Sequence, residues 1–103
     1  MKSYFLLEIS DESRFDMIES FQWYDAIHKE LGNRFENEIE SELQRLIKNP
    51  FHFETKHKKV RVLFMKKFPF GIHFVIDDDK IKVIAFFHTS RNPKNWKKRI
   101  SGK

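Results

Sequence analysis

The run VRVLFMKKFPFGIHFVIDDDKIKVIAFF, residues 60–87, decides the fold. Its apolar residues are β-branched and aromatic, the composition of a pleated, half-buried surface. Three segments stand out: VRVLFM (60–65), FGIHFVI (70–76) and IKVIAFF (81–87). Lys66-Lys67-Phe68-Pro69 joins the first two, and Asp77-Asp78-Asp79-Lys80 joins the next two. Both links are of hairpin length, so the three strands form an antiparallel meander. Alternation places Phe70, Ile72, Phe74 and Ile76 on one face. In the last strand it places Ile81, Val83, Ala85 and Phe87 on one face, with Ile84 and Phe86 on the other. A strand apolar on both sides belongs in the interior of a sheet. The face opposite the main core carries Arg61, Gly71, His73 and Lys82 as alternating residues. The three aspartates read as a solvated turn, since carboxylates on a tight turn point apart and make a poor metal cage.

Working backward from the meander, the periodicity changes to helical. Met17, Ile18, Phe21, Tyr24 and Ile27 recur at helical spacing, as do Phe35, Ile39, Leu43, Leu46 and Ile47. Ser10 or Asp11 caps the first helix, whose first-turn acids complement the helix dipole. That helix ends near Leu31-Gly32, where glycine accepts a left-handed cap. Asn33 with Glu36 opens the second in a capping-box pattern, and Asn49-Pro50 closes it. Glu36, Glu38, Glu40 and Glu42 fall mostly off the second apolar stripe. The short connection makes the pair an antiparallel hairpin. SYFLLEI, residues 3–9, reads as a first strand. The expectation is one α+β domain over residues 1–103, ordered β-α-α-β-β-β. Its helical hairpin packs on one face of a mainly antiparallel four-stranded sheet. A short C-terminal helical tail begins at Pro93, and Trp96 packs it back.

The chain has 103 residues, 12 of them Phe and none Cys. That length buries a core without crosslinks, and disulfide and thiolate chemistry is excluded. No apolar run approaches a membrane span, and the N-terminus lacks the form of a signal peptide. These features fit a cytoplasmic protein. The formal charge of +5 is unevenly distributed. Residues 1–50 carry six Lys/Arg and eleven Asp/Glu, net −5; residues 51–103 carry fourteen and four, net +10. Such asymmetry points the second half toward an acidic partner or a nucleic acid. The histidines His28, His52, His57 and His73 show no zinc-ligand spacing. No cofactor or metal is expected.

The ordered set of landmarks resembles the RelE/ParE superfamily of toxins from bacterial type II toxin–antitoxin systems. WYDAIHKELGNRFENEIESELQRLIKNP (23–50) is similar to that family's helical hairpin, with its LG-x-RF turn and terminal NP. Residues 60–96 are similar to its meander, with FPF before the middle strand, an acidic turn, and H-x-x-R-x-P-x-x-W at the end. The resemblance covers residues 3–99. It implies an intracellular poison held inactive by a cognate antitoxin. It also implies two alternative targets: mRNA on the ribosome, cut without metal by RelE-like members, or DNA gyrase, poisoned by ParE-like members.

Metal-free RNA cleavage needs a base, an acid and cations around the phosphorane. Arg61, His88 and Arg91 are the candidates, with Lys56, Lys58 and Lys59 nearby in sequence. Each has a plainer reading: an outward strand residue, a strand-end hydrogen bond, a cap of the tail. For binding a target or nucleic acid the candidate set is Lys58, Lys59, Arg61, Lys66, Lys67, Arg91, Lys94, Lys97 and Lys98. Two departures from the RelE-like pattern matter. The arginine that follows the aromatic opening the middle strand is replaced here by Gly71. The late tyrosine has no counterpart, since Tyr4 and Tyr24 both lie early. The resemblance therefore leans toward ParE. A non-enzymatic nucleic-acid-binding domain is the remaining alternative.

Overall fold

The computed structural model describes residues 5–90. The chain forms β1 (Leu6–Ile9), α1 (Asp11–Ile27), α2 (Lys29–Lys48), one 3-10 turn (Pro50–His52), β2 (Thr55–His57), β3 (Val60–Phe64), β4 (Phe70–Asp77) and β5 (Lys80–His88). The strands make one sheet in the order β1-β5-β4-β3-β2. β1 runs parallel to β5, and the other pairings are antiparallel. The sheet thus has five strands where four are expected. The additional one, β2, is a three-residue edge strand whose sequence, Thr-Lys-His, carries no apolar alternation. The meander and the interior position of β5 are as expected. Arg91, Lys94, Lys97, Lys98 and the whole expected tail from Pro93 lie outside the described residues.

The helical hairpin breaks at a different residue from the one expected. α1 stops at Ile27, and His28 adopts an extended conformation (φ −162°, ψ 131°) between the two helices. Its backbone N–H donates to the Tyr24 carbonyl, and its ring Nδ1 accepts from the Glu30 N–H at 3.1 Å. One histidine therefore ends α1 and caps α2. Gly32 lies inside α2 without a left-handed backbone, and Asn33 caps nothing. Glycine is required there for close approach: a Cβ at Gly32 would lie 2.6 Å from Asp25 Oδ1 and 2.9 Å from its Cα. Ser10 caps α1 as expected, its Oγ accepting from the Ser13 N–H at 3.1 Å. A cap of this kind contributes about 1 kcal/mol.

The core lies between the hairpin and one face of the sheet. Phe35, Leu46, Leu63, Ile72, Phe74 and Ile81 are fully buried there. Phe70 and Phe86 stack in parallel at 4.7 Å, and Phe35 and Tyr24 close edge-on around Phe68 and Phe70. A β-bulge reassigns the faces of β5. His73 pairs with Ala85 but Phe74 pairs with Val83, which leaves Ile84 without a partner. One extra residue in a strand inverts the alternation beyond it. Ile81, Val83 and Phe86 therefore join the helix-side core, whereas Ala85 and Phe87 form a separate buried cluster on the second face. The strict alternation expected for Ile81, Val83, Ala85 and Phe87 fails at the bulge.

α1 contributes less to this core than its sequence promises. Of its five residues at helical spacing, Met17 is buried, while Ile18 and Ile27 are 51% and 57% exposed. Phe15 and Trp23 are also exposed.

Candidate functional site

The second face of the sheet is built from β3, β4 and β5. Its centre is Gly71, which pairs with Phe64 on one side and Phe87 on the other. A Cβ at Gly71 would lie 3.2 Å from Val62 Cγ1 and 3.4 Å from both the His73 ring and Phe64. The glycine is thus closely surrounded, and a Cβ there would require Val62 to give by a few tenths of an ångström. His73 is buried next to it. Its Nδ1–H donates to the Gly71 carbonyl at 3.2 Å, and its ring meets Phe87 edge-on at 5.4 Å. Burial lowers its pKa to about 4, with the nearby Lys56 charge acting in the same direction. His73 is therefore a neutral imidazole at physiological pH.

Arg61 does not share that face. It pairs with Phe74, whose side chain is in the helix-side core, so Arg61 points to the same side at the sheet's edge. This corrects its expected grouping with Gly71 and His73. Its guanidinium donates to the Phe53 carbonyl at 2.6 Å and the Phe51 carbonyl at 3.4 Å, and lies 5.3 Å from the Phe51 ring centre. It pins the loop after α2 to the start of β3. Lys58 and Lys59 form the two-residue β2–β3 connection, with Lys58 in the left-handed region (φ 55°). They share with Arg61 an open cleft of about 430 Å³ floored by Phe51 and Ile76.

His88 occupies the other end of the sheet. It pairs with Phe70, four residues along β4 from the partner of Arg61. With β4 between them, the two backbones lie roughly 16 Å apart, from strand rise and spacing. The exposed His88 ring accepts the Ser90 N–H on Nδ1 at 3.1 Å, with Ser90 Oγ at 2.7 Å, and it packs edge-on against Phe70. Arg61 and His88 are therefore not brought together, and each has a local structural role. Lys66 and Lys67 are exposed in the β3–β4 link.

One polar device was not anticipated. Glu42 is 3% exposed, lying on the core stripe of α2 rather than off it. Its carboxylate accepts from Arg45 at 2.8 Å and from the Lys66 backbone N–H at 3.2 Å. The signal was present in the spacing, since Glu42 is seven residues from Phe35 and four from Leu46. Among the described residues no group of three or more His, Asp or Glu side chains is placed to hold a metal ion. Nor does any described helix have the length and apolarity to cross a membrane.

Comparison with solved structures places the architecture. The chain superimposes on one from the chromosomal ParDE TA system from P. aeruginosa with a TM-score of 0.74, covering 86% of this chain and 100% of that one. The fold is that of the ParE/RelE-like toxins. Sequence identity in the match is 14%, so the likeness is one of architecture. No protein-family model and no curated protein matches the chain. Within the ParE/RelE-like fold, the fifth strand β2 and the close packing around Gly71 are the features that shape this chain's sheet edge and second face.

Proposed function

We propose that this chain is the toxin of a bacterial toxin–antitoxin pair, acting in the ParE manner. In this reading it arrests growth in the cytoplasm by poisoning DNA gyrase and is neutralised by a cognate antitoxin. The observation that carries the choice is the second face at Gly71. A metal-free nuclease needs fixed cations around the phosphorane; Gly71 itself supplies none, and the lysine beside this face, Lys56, lies over the exposed Phe64 ring. Val62, Phe64 and His73 crowd the space around Gly71. The neutral His73 adds no positive charge there. The separation of Arg61 from His88 supports the same choice, because general acid–base work requires both groups within hydrogen-bond reach of one substrate.

An antitoxin segment of partly acidic, initially disordered character suits the basic second half of the chain. Controlled induction in bacteria is expected to stop growth, and co-expression of a cognate antitoxin to restore it. Supercoiling by purified gyrase is expected to fall as the chain is added. The RelE-like reading makes the opposite prediction: ribosome-dependent mRNA cuts that vanish in His88→Ala and Arg91→Ala.

A further inference from the structure

One half of the second face is buried more deeply than its described surroundings explain. Val62, His73, Ala85 and Phe87 are no more than 6% exposed, and Gly71 between them is buried too. Register places them side by side: Val62 pairs with His73, His73 with Ala85, and Gly71 with Phe87. Strand side chains stand roughly perpendicular to the sheet, so neighbours shield the flanks of a ring and not its outer side. The buried residues from outside the strands, among them Met17, Phe35, Leu46, Met65 and Phe68, all join the helix-side core, whereas the cluster on the second face is Ala85 and Phe87 alone. The other half of the same face is open. There the side chains of Lys80 and Lys82 are 45% and 40% exposed, and Leu6 is 49% exposed.

We propose that residues 91–103 cover the buried half, with Trp96 and Ile100 laid over Val62, Gly71 and Phe87 and the cations left to solvent. The chain leaves β5 at His88, which pairs with Phe70 at this end of the face. Residues 1–4 instead join β1 beside Lys80, next to the open half. Six residues from Ser90 to Trp96 reach up to about 20 Å, and crossing from β5 over β4 to β3 takes about 10 Å. Residues 91–103 hold six Lys/Arg and no acid, and their large apolar residues are Trp96 and Ile100. A spacing of four puts those two on one side of a helical segment. The burial is a property of the single chain, so the cover belongs to the same molecule. Seated there, the segment closes Gly71 to any substrate and turns an apolar surface into a basic one. This inference goes beyond the toxin reading, and neither growth nor gyrase enters its test.

The experiment uses the full chain, which has no Cys and two Trp, Trp23 and Trp96. A nitroxide attached to Lys97→Cys is expected to broaden the amide resonances of Val62, Gly71 and Phe87 most, and those of Phe15 and Ile18 on α1 least. Nitroxide-bearing chain mixed with isotope-enriched chain that carries no nitroxide is expected to leave the enriched resonances sharp. In Trp23→Phe the remaining Trp96 should resist acrylamide quenching severalfold better when folded than in urea. Trp96→Ala, shown to be folded by circular dichroism, should let water reach His73 and raise its pKa from about 4 toward 6.5. Trp23→Ala, on α1, should leave that titration in place. Broadening that is equal on both sides or strongest on α1, or broadening transferred between molecules, would overturn the inference. So would a Trp96 quenched as readily in the folded chain as in urea, or a His73 titration indifferent to Trp96→Ala.

Discussion

The two faces of the sheet are made from the same strands and do opposite things. On the helix side, alternate residues of β3, β4 and β5 pack with Phe35 and Leu46 into an aromatic core. On the second side the same strands present Gly71, a buried neutral histidine, and an aromatic ring beside a lysine. A single unpaired residue, Ile84, lets β5 serve both, by switching its apolar residues from one face to the other. One bulge thus leaves an aromatic core on one side and a buried titratable group on the other. His73 and Phe35 are both buried, but only His73 carries a group that titrates.

Perturbations at five residues bear on this contrast. Phe35→Ala empties the fully buried centre of the helix side and should cost about 3–5 kcal/mol in urea unfolding. Phe64→Ala on the second side, where the ring is half exposed, should cost under about 1 kcal/mol by the area it covers.

His73 supplies the sharpest difference between the faces. Its pKa in the folded chain is about 4, below the ordinary value of 6.5, so the native state favours the neutral form. At pH above 6.5 both folded and unfolded chains carry a neutral ring and no penalty arises. As pH falls from 6.5 to about 4 the unfolded chain takes up a proton that the folded chain refuses, and stability declines. The loss approaches about 3 kcal/mol at full extent. Chemical unfolding across this window should show a decline that His73→Leu reduces, whereas Phe35→Leu should lower stability without changing its dependence on pH.

Glu42 ties the hairpin to the sheet from within the helix side. Glu42→Ala leaves the Lys66 N–H without its acceptor and should cost about 2 kcal/mol. Glu42→Gln keeps an acceptor and should cost less; both are read by thermal unfolding. Gly32→Ala forces Asp25 away and should cost about 1–2 kcal/mol by overpacking, again measured by thermal unfolding.

Much of this fold was legible because local chemistry and global packing agree. The Ser10 cap, the Asn49-Pro50 stop, the hairpin-length links and the residues of β4 all follow from residue type and spacing. Gly32 misled because a glycine needed for close helix contact is written identically to one needed for a left-handed cap. His28 escaped notice because extended backbone is open to any residue, and capping by an imidazole nitrogen leaves no pattern. β2 has three residues and no alternation to detect. The bulge at Ile84 depends on pairing with β4, which no single strand encodes. For the candidate site, the lysines and Gly71 were readable as types. The side of the sheet that Arg61 takes, and its distance from His88, emerge only from the register.

The Gly71 face supports the proposal that this chain acts on a protein target rather than by cutting RNA. Titrating purified gyrase with the purified chain, in a supercoiling assay run beside ribosome-dependent cleavage of mRNA, tests it most directly. Supercoiling is expected to fall with added chain while the mRNA stays intact, and His88→Ala is expected to alter neither outcome. Unimpaired supercoiling together with mRNA cuts abolished by His88→Ala would contradict it.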